Sequence, residues 1–508
     1  MPPMMAVIVV FSLLLPAIFI LFFIQTHKAR APLPPGPPPL PLIGNLQHLD
    51  KSAPHRCLWR LSKLYGPLMS LRLGSVPTVV VSSAKIAKQI LKTHDLSFAS
   101  RPPYTGQRKL SYNGLDLGFA PYGPCWRELK KLCIVHLFSA QRVQSFRPVR
   151  EHEVAQMIRN LSQPHDGASV NLTEAVMSFN NSLICRIALG KKYGREYEEV
   201  VDRRSRLQVM LNEAQALLAE FYFSDYFPLL GWLDRLRGTL SRLDKSFHEL
   251  DAFYERVIRD HIDSAKSGKT NDKEVDIIDI FLRLRDNRSL SFDLTLDHIK
   301  AVLMNIFIAG TDPTSATTVW AMNALLKNPN VRRKVQCEVR NMFGHKDFIN
   351  EDDVERLPYL KAVVKETLRL FPPSPLLLPR ETMERCIIEG YEIQPKTIVH
   401  VNAWAIARDP ECWEKPEEFW PERFLGNSME LKGDEFEVIP FGSGRRMCPA
   451  KHMGIVNVEL SLANLLYSFD WEVGEGVNKE EMLDTEVKPG VTMHKKNDLY
   501  LVAKKWNM

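Results

Sequence analysis

The sequence predicts a mainly α fold with a minor β portion, and three observations carry that prediction. Apolar residues recur at three- and four-residue spacing over Leu294 to Leu326, Glu355 to Leu370 and Met453 to Tyr467, the period of a helix that buries one face. β-Branched runs are short and few: Thr78 to Val81 (TVVV) and Thr397 to Val401 (TIVHV), with SLRLG at Ser70 to Gly74 a predicted partner of the first. Beyond residue 50 there is no internal repeat and no second long linker, and the one strongly polar break, Ser264 to Glu274, reads as a surface loop between helices. One body over residues 51–508 is the economical organisation. With 45% apolar and 25% charged residues, a chain of 508 residues has material for a large core. Its net charge of +6 is thinly spread, which does not suggest a nucleic-acid partner.

The N-terminus has a different character. Met4 to Ile24 is 21 residues without a charge, which as a helix spans roughly 31 Å, one hydrocarbon core. A cleaved signal peptide is the competing reading, but the run exceeds a usual apolar signal region and no small-residue cleavage site follows. Residues 1–27 therefore read as a membrane anchor, kinked at Pro16. His27, Lys28 and Arg30 follow the span and nothing basic precedes it, which places the body in the cytosol. Residues 28–50 contain APLPPGPPPLPLIGN, whose prolines fix φ and favour a stiff, extended hinge. A peptide ligand for a proline-reading domain is the alternative, but the position between anchor and body favours a spacer.

Eight cysteines, at 57, 125, 133, 185, 337, 386, 412 and 448, form no CxxC pair, which argues against a disulfide scaffold or structural zinc. Cys448 stands apart. It lies in FGSGRRMCPA, directly before an apolar helical stretch. Gly442 and Gly444 permit tight turns that bring N–H groups to the sulfur, and a helix start with Arg445 and Arg446 favours a thiolate, the form that ligates metals. A buried structural thiol is the alternative, and it is the reading for the other seven.

The pattern F-x-x-G-x-R-x-C, filled by Phe441, Gly444, Arg446 and Cys448, resembles the haem-binding loop of the cytochrome P-450 (haem-thiolate monooxygenase) family. It is joined in order by A-G-x-D at Ala309 to Asp312, E-x-x-R at Glu366 to Arg369 and P-E-R-F at Pro421 to Phe424. The resemblance covers essentially the whole chain. It implies the cytochrome P-450 fold behind an N-terminal transmembrane helix, and haem b (iron protoporphyrin) with Cys448 as axial thiolate and metal ligand, beside Phe441. It further implies haem-propionate contacts from Arg446, Arg380 and the Trp126 indole, and a buried ionic triad of Glu366, Arg369 and Arg423. Where the family has W-x-x-x-R the chain has Trp126 to Lys130, and lysine keeps the charge but loses the bidentate fork.

Oxygen chemistry would centre on Gly310, Thr311, Asp312 and Thr314. The family usually follows the acid with Thr, and here Pro313 takes that place, so the resemblance leaves proton delivery to Asp312, an ordered water or the substrate's own hydroxyl. The implied activity is insertion of one oxygen atom from O₂ into a small lipophilic plant metabolite. A haem-thiolate isomerase or dehydratase that does not use O₂, and a non-catalytic haem protein, are the alternatives. No G-x-G-x-x-G follows a strand, so electrons from NADPH would arrive through a separate NADPH-cytochrome P-450 reductase. Arg127, Lys130, Lys131, Arg445, Arg446 and Lys451 would form its basic docking face. The anchor and hinge resemble plant enzymes of the endoplasmic reticulum membrane, single-pass with a cytosolic body. RLSKLYGPL, FRPVREHE, GSGRRMCPA and TMHKK look most like the branch containing aldoxime-metabolising enzymes of glucosinolate pathways; neighbouring branches act on phenylpropanoids, terpenoids and alkaloids. Expected substrate-facing positions include Tyr104 to Tyr122, the aromatic run from Phe221 to Phe227, Val302 to Phe307, Leu376 to Leu378 and Val491 to Met493.

Overall fold

Strand-forming and helix-forming segments sort as their side chains dictate. A computed structural model describes residues 32–50, 52–163, 169–190, 206–266, 275–287, 290, 292–344, 346–426, 429, 431–474 and 478–506. Helix α1 (Pro54–Tyr65) leads into β1 (Leu68–Leu73) and β2 (Val76–Val81), which pair antiparallel with Leu71 opposite Thr78. The expected partnership of SLRLG with TVVV is therefore present, one strand register of β-branched side chains burying Val79, Val80 and Val81. Helices α2 (Pro124–His136), α3 (Leu172–Leu189), α4 (Thr239–Lys266), α5 (Leu296–Lys327) and α6 (Pro358–Leu370) follow. Then come β3 (Arg380–Glu381) and β4 (Ile398–Val401). β4 lies parallel to β2, Thr78 opposite Ile398, and antiparallel to β3, giving the sheet order β1-β2-β4-β3. Helix α7 (Lys451–Ser468) runs into β5 (Phe469–Glu472), which pairs with β6 (Tyr500–Lys505).

The architecture is mainly helical with a small β part, and α5 is its axis. Its side chains are buried on nearly every face, so it lacks the polar stripe of a surface helix and must sit inside. It packs on α3 on one side and α7 on the other, and α7 in turn contacts α6. Thr295 caps its start, with its hydroxyl accepting from the His298 N–H while the His298 ring faces the Thr295 amide.

Two expectations change, and one departure from pattern leaves the helix intact. The loop expected from Ser264 does not start there, because α4 continues through Lys266; 267–274 lie outside the described residues. The hairpin of Cys386–Ile388 with Tyr391–Ile393 is additional, turning at Glu389 and Gly390, both with positive φ. Pro313 does not end α5: the helix is continuous across it. Proline has no N–H for the Ala309 carbonyl, and the following hydroxyls turn back on the helix, Ser315 to Thr311 O (2.8 Å), Thr317 to Pro313 O (2.8 Å) and Thr318 to Thr314 O (3.1 Å). The expected anchor, 1–27, and part of the hinge lie outside the described residues, among which no helix is long and apolar enough to cross a membrane.

Candidate active site

The cysteine loop is built by backbone geometry. Gly442 and Gly444 both take φ of 68°, a region that side chains disfavour. At Gly444 a Cβ would also stand 2.1 Å from Leu91 O, so no other residue fits. The Cys448 N–H donates to Phe441 O (3.0 Å), closing the loop just before α7 begins at Lys451. Cys448 is half-buried as a residue, but its thiol is deep enough that burial pushes its pKa up. The Ala450 N–H, Lys130 and Lys451 pull the other way. Such a sulfur needs a further positive partner to remain a thiolate, which is what a metal ion supplies.

Beside it, cations converge. Arg380 is buried and donates to Asp95 Oδ1 (3.0 Å) and Ser443 O (2.8 Å). Arg446 donates to Ala99 O (2.7 Å) and Ala120 O (2.6 Å), with its guanidinium 3.9 Å above the Trp126 ring. The Trp126 indole N–H donates to Leu117 O (3.1 Å), and Lys130 reaches the Arg445 carbonyl from one helical turn on. Sequence reasoning missed Arg101, which is buried and donates to Gly118 O (2.9 Å) and Leu378 O (2.6 Å). Burial first, then mutual repulsion, pulls the pKa of Arg446 down to about 9 and that of Lys130 to about 8, and lowers Arg101 as well. Asp95 and Asp116 are the carboxylates that oppose them. Asp95 also takes the Arg445 N–H (2.9 Å) and guanidinium (3.0 Å).

The triad forms in full. Glu366 accepts from Arg369 twice (2.7 and 2.8 Å) and from Arg423 (3.2 Å), with the Trp420 N–H also on Oε1 (2.8 Å). All three side chains are buried, and Trp413 lies against both guanidiniums.

On α5, Asp312 is buried and its Oδ1 meets His494 Nε2 at 2.7 Å. Sequence reasoning saw TMHKK only as a resemblance; no local spacing joins residues 182 positions apart. Backbone bonds fix that turn: the Met493 N–H donates to Pro373 O (2.8 Å) and its carbonyl accepts the Trp320 indole N–H (2.7 Å). Met493 is buried and packs with Trp320 and Trp404. Thr311 is buried and its hydroxyl has no hydrogen-bond partner, a site with room in its valence for a water or ligand. Thr314 is buried too. Gly310 serves close packing, since a Cβ there would lie 2.7 Å from Ile184 Cδ1 of α3. In the aromatic run, Tyr222 belongs to the core, while Phe221 and Tyr226 stack at 5.1 Å.

On the outer side of α2, a hollow of about 340 Å³ is lined by Arg127, Lys130, Lys131 and Arg445 over Trp126 and Ile134. Arg446, expected on this face, turns inward to the carbonyls above.

The Cytochrome P450 family model matches residues 34–502. The chain belongs to the cytochrome P450 family. Among its relatives, 5-OH-xanthotoxin synthase of Pastinaca sativa is 47% identical over 500 residues, covering 96% of each chain. Strychnine-11-hydroxylase of Strychnos nux-vomica is 44% identical, covering 96% of this chain and 94% of the relative. The fold is similar to that of a zebra fish cytochrome P450 structure with progesterone, with a TM-score of 0.73, 25% identity, and coverage of 89% and 99%.

This cytochrome P450 is a haem-thiolate monooxygenase that acts on small metabolites, with electrons from NADPH through a reductase; the readings without O₂ or without catalysis are not favoured. Haem b fits the residues present. A buried thiol under an N–H donor suits a metal, and desolvated, mutually repelling Arg101, Arg380, Arg446 and Lys130 suit a dianion such as paired propionates.

Proposed function

We propose that Cys448 is the axial ligand of this monooxygenase, with Arg380, Arg446 and Arg101 holding the propionates and Trp126 and Lys130 supporting them. The observation that carries the assignment is the glycine-built loop that sets the Cys448 sulfur among cations at the start of α7. Haem held through the Cys448 thiolate would supply cleavage of the O–O bond of O₂, one atom of which enters the substrate while the other leaves as water. The chain's own part is to position and to move protons. Asp312 Oδ1 is hydrogen-bonded to His494 Nε2, and the partly exposed imidazole offers a proton path from that carboxylate to solvent. The unpartnered Thr311 hydroxyl stands one residue away for a water. This replaces the alcohol that Pro313 lacks, with Gly310 and Thr314 shaping the same turn.

Residues 1–27 anchor the protein once in the endoplasmic reticulum membrane, 28–50 act as hinge, and 51–508 form the cytosolic catalytic body. The basic hollow on α2 takes an acidic surface of NADPH-cytochrome P450 reductase. For the substrate, relatives named 5-OH-xanthotoxin synthase and 6,7,8-trihydroxycoumarin synthase favour an aromatic oxygen heterocycle as the first class to screen, with aldoximes and alkaloids next. The test is turnover with a plant reductase under ¹⁸O₂. One labelled oxygen in product is expected; product without label, or no product across the panel, counts against the reading.

A further inference from the structure

The loop at residues 115–120 is gripped from two sides. Its carbonyls face cations and the indole: Leu117 O accepts from Trp126 (3.1 Å) and Arg446 (3.3 Å), Gly118 O from Arg101 (2.9 Å) and Ala120 O from Arg446 (2.6 Å). Its amides face the other way. Leu117 N–H and Gly118 N–H donate to Asn305 Oδ1 on α5 (2.9 and 3.0 Å), and Phe119 N–H and Ala120 N–H donate to Asp116 Oδ1 (3.0 and 2.8 Å). Asn305 Nδ2 donates to Asp116 Oδ2 (2.8 Å) and closes the ring of bonds. Asp116 is fully buried. Asn305 lies seven residues before Asp312, two helical turns along the same face of α5.

We propose that Asn305 and Asp116 form a latch that fixes the 115–120 loop on α5 and so sets how closely the site shuts over its ligand. Asn305 is a positioning residue. The inference rests on the placement of the site between α5 and the Cys448 loop. An amide is what the position needs: one oxygen accepts two backbone N–H groups while the nitrogen donates to a carboxylate. Burial raises Asp116 to about 6 against the pull of Asn305, the two amides and Arg446; Arg446 and Arg101 are the charged groups that face it. A neutral carboxylic acid at 305 would reproduce both roles of the amide, whereas a carboxylate would set two negative charges face to face.

The test uses the full-length, haem-loaded protein in detergent, as wild type, Asn305→Leu and Asn305→Asp. Hydrogen exchange at the amides of 117–120 is measured against those of α7 and corrected for intrinsic rate, together with binding of 4-phenylimidazole. Asn305→Leu is expected to lose about tenfold protection in the loop alone and to bind the probe about tenfold more weakly, with the carbon monoxide band unchanged. Asn305→Asp is expected to match wild type at pH 5 and the leucine variant at pH 8 in one preparation. Unchanged loop protection in Asn305→Leu, or an Asn305→Asp protein indifferent to pH, overturns the latch. A wild type lacking the thiolate band overturns the Cys448 assignment instead, and the exchange data still decide the latch.

Discussion

Arg369 has no exposed surface, and its guanidinium is spent entirely inside the protein, on Glu366 and on the carbonyls of Ala407, Pro416 and Glu418. Removing it strands a buried carboxylate, a cost of about 3–5 kcal/mol. Arg369→Ala is therefore expected to lower the denaturant midpoint strongly, and Arg369→Lys to rescue little, because lysine cannot span both Glu366 oxygens; unfolding monitored by tryptophan fluorescence checks both. Glu459 is a simpler case. It is buried, and that burial, with Lys361 and Lys365 opposing, raises its pKa to about 7. Between pH 4.5 and 7 the unfolded chain ionises this group while the folded one keeps the proton, so its contribution to stability falls with rising pH over that window and is level above it. Glu459→Gln should thus match wild type below pH 4.5 and gain by at most about 3 kcal/mol by pH 8, read as the difference between two melting curves at each pH. Cys448→Ala should abolish the long-wavelength carbon monoxide band of the reduced enzyme. Cys448 and the Glu366–Arg369 pair were legible because each rests on close sequence spacing, x-x-R after Glu366 or glycines before the thiol, whereas Arg423, 57 positions from Glu366, joined them only through the family resemblance. Arg101 was not: inside RPP it has no periodic partner, and only the fold brings it to Arg446.

Helix α5 carries the departure from pattern at Pro313. Its length was readable from the apolar period, but its burial on nearly every face was not, since three- and four-residue spacing announces one buried face. Its course through Pro313 was legible in the same period; the contacts with α3 and α7 that flank it were not. Pro313→Thr returns an N–H to Ala309 O and is expected to stabilise the protein by about 1 kcal/mol. With a purely hydrocarbon ligand it should also raise product formed per NADPH. His494→Gln keeps a hydrogen bond to Asp312 but cannot carry the proton. It is expected to divert NADPH to peroxide while the carbon monoxide band and the hydrogen-peroxide-driven reaction persist; equal peroxide yield in wild type and variant would remove His494 from proton delivery. Substrates that bear their own hydroxyl or oxime should blunt the effect.

At the scale of the whole molecule, two groups of exposed apolar residues are tied together through the β1–β2 turn. Gly74 N–H donates to Ile43 O (3.1 Å) and Ser75 N–H to Tyr226 O (2.9 Å), which ties the exposed Leu42 and Ile43 to the segment leading into exposed Leu229, Leu230 and Trp232. Deletion of residues 1–27 is accordingly expected to leave part of the protein on membranes at low salt, and Leu229→Ser with Trp232→Ser in that deletion to free the rest, measured by sedimentation with vesicles. That contact is assigned to Leu229 and Trp232 and not to the aromatic run before them, because Tyr222 and Tyr226 face inward and Leu229 does not. The parallel pairing of Thr78 with Ile398 bears on how the protein is made. Ile398 follows Thr78 by 320 positions, so at ~5–20 residues per second a ribosome delivers it about 16–64 s after the hairpin of β1 and β2 has emerged. For that interval the Val79 to Val81 edge has no strand to pair with, and its unpaired row of N–H and C=O groups is a template for other nascent chains. The newborn polypeptide is at its most vulnerable before the cysteine loop has even been translated.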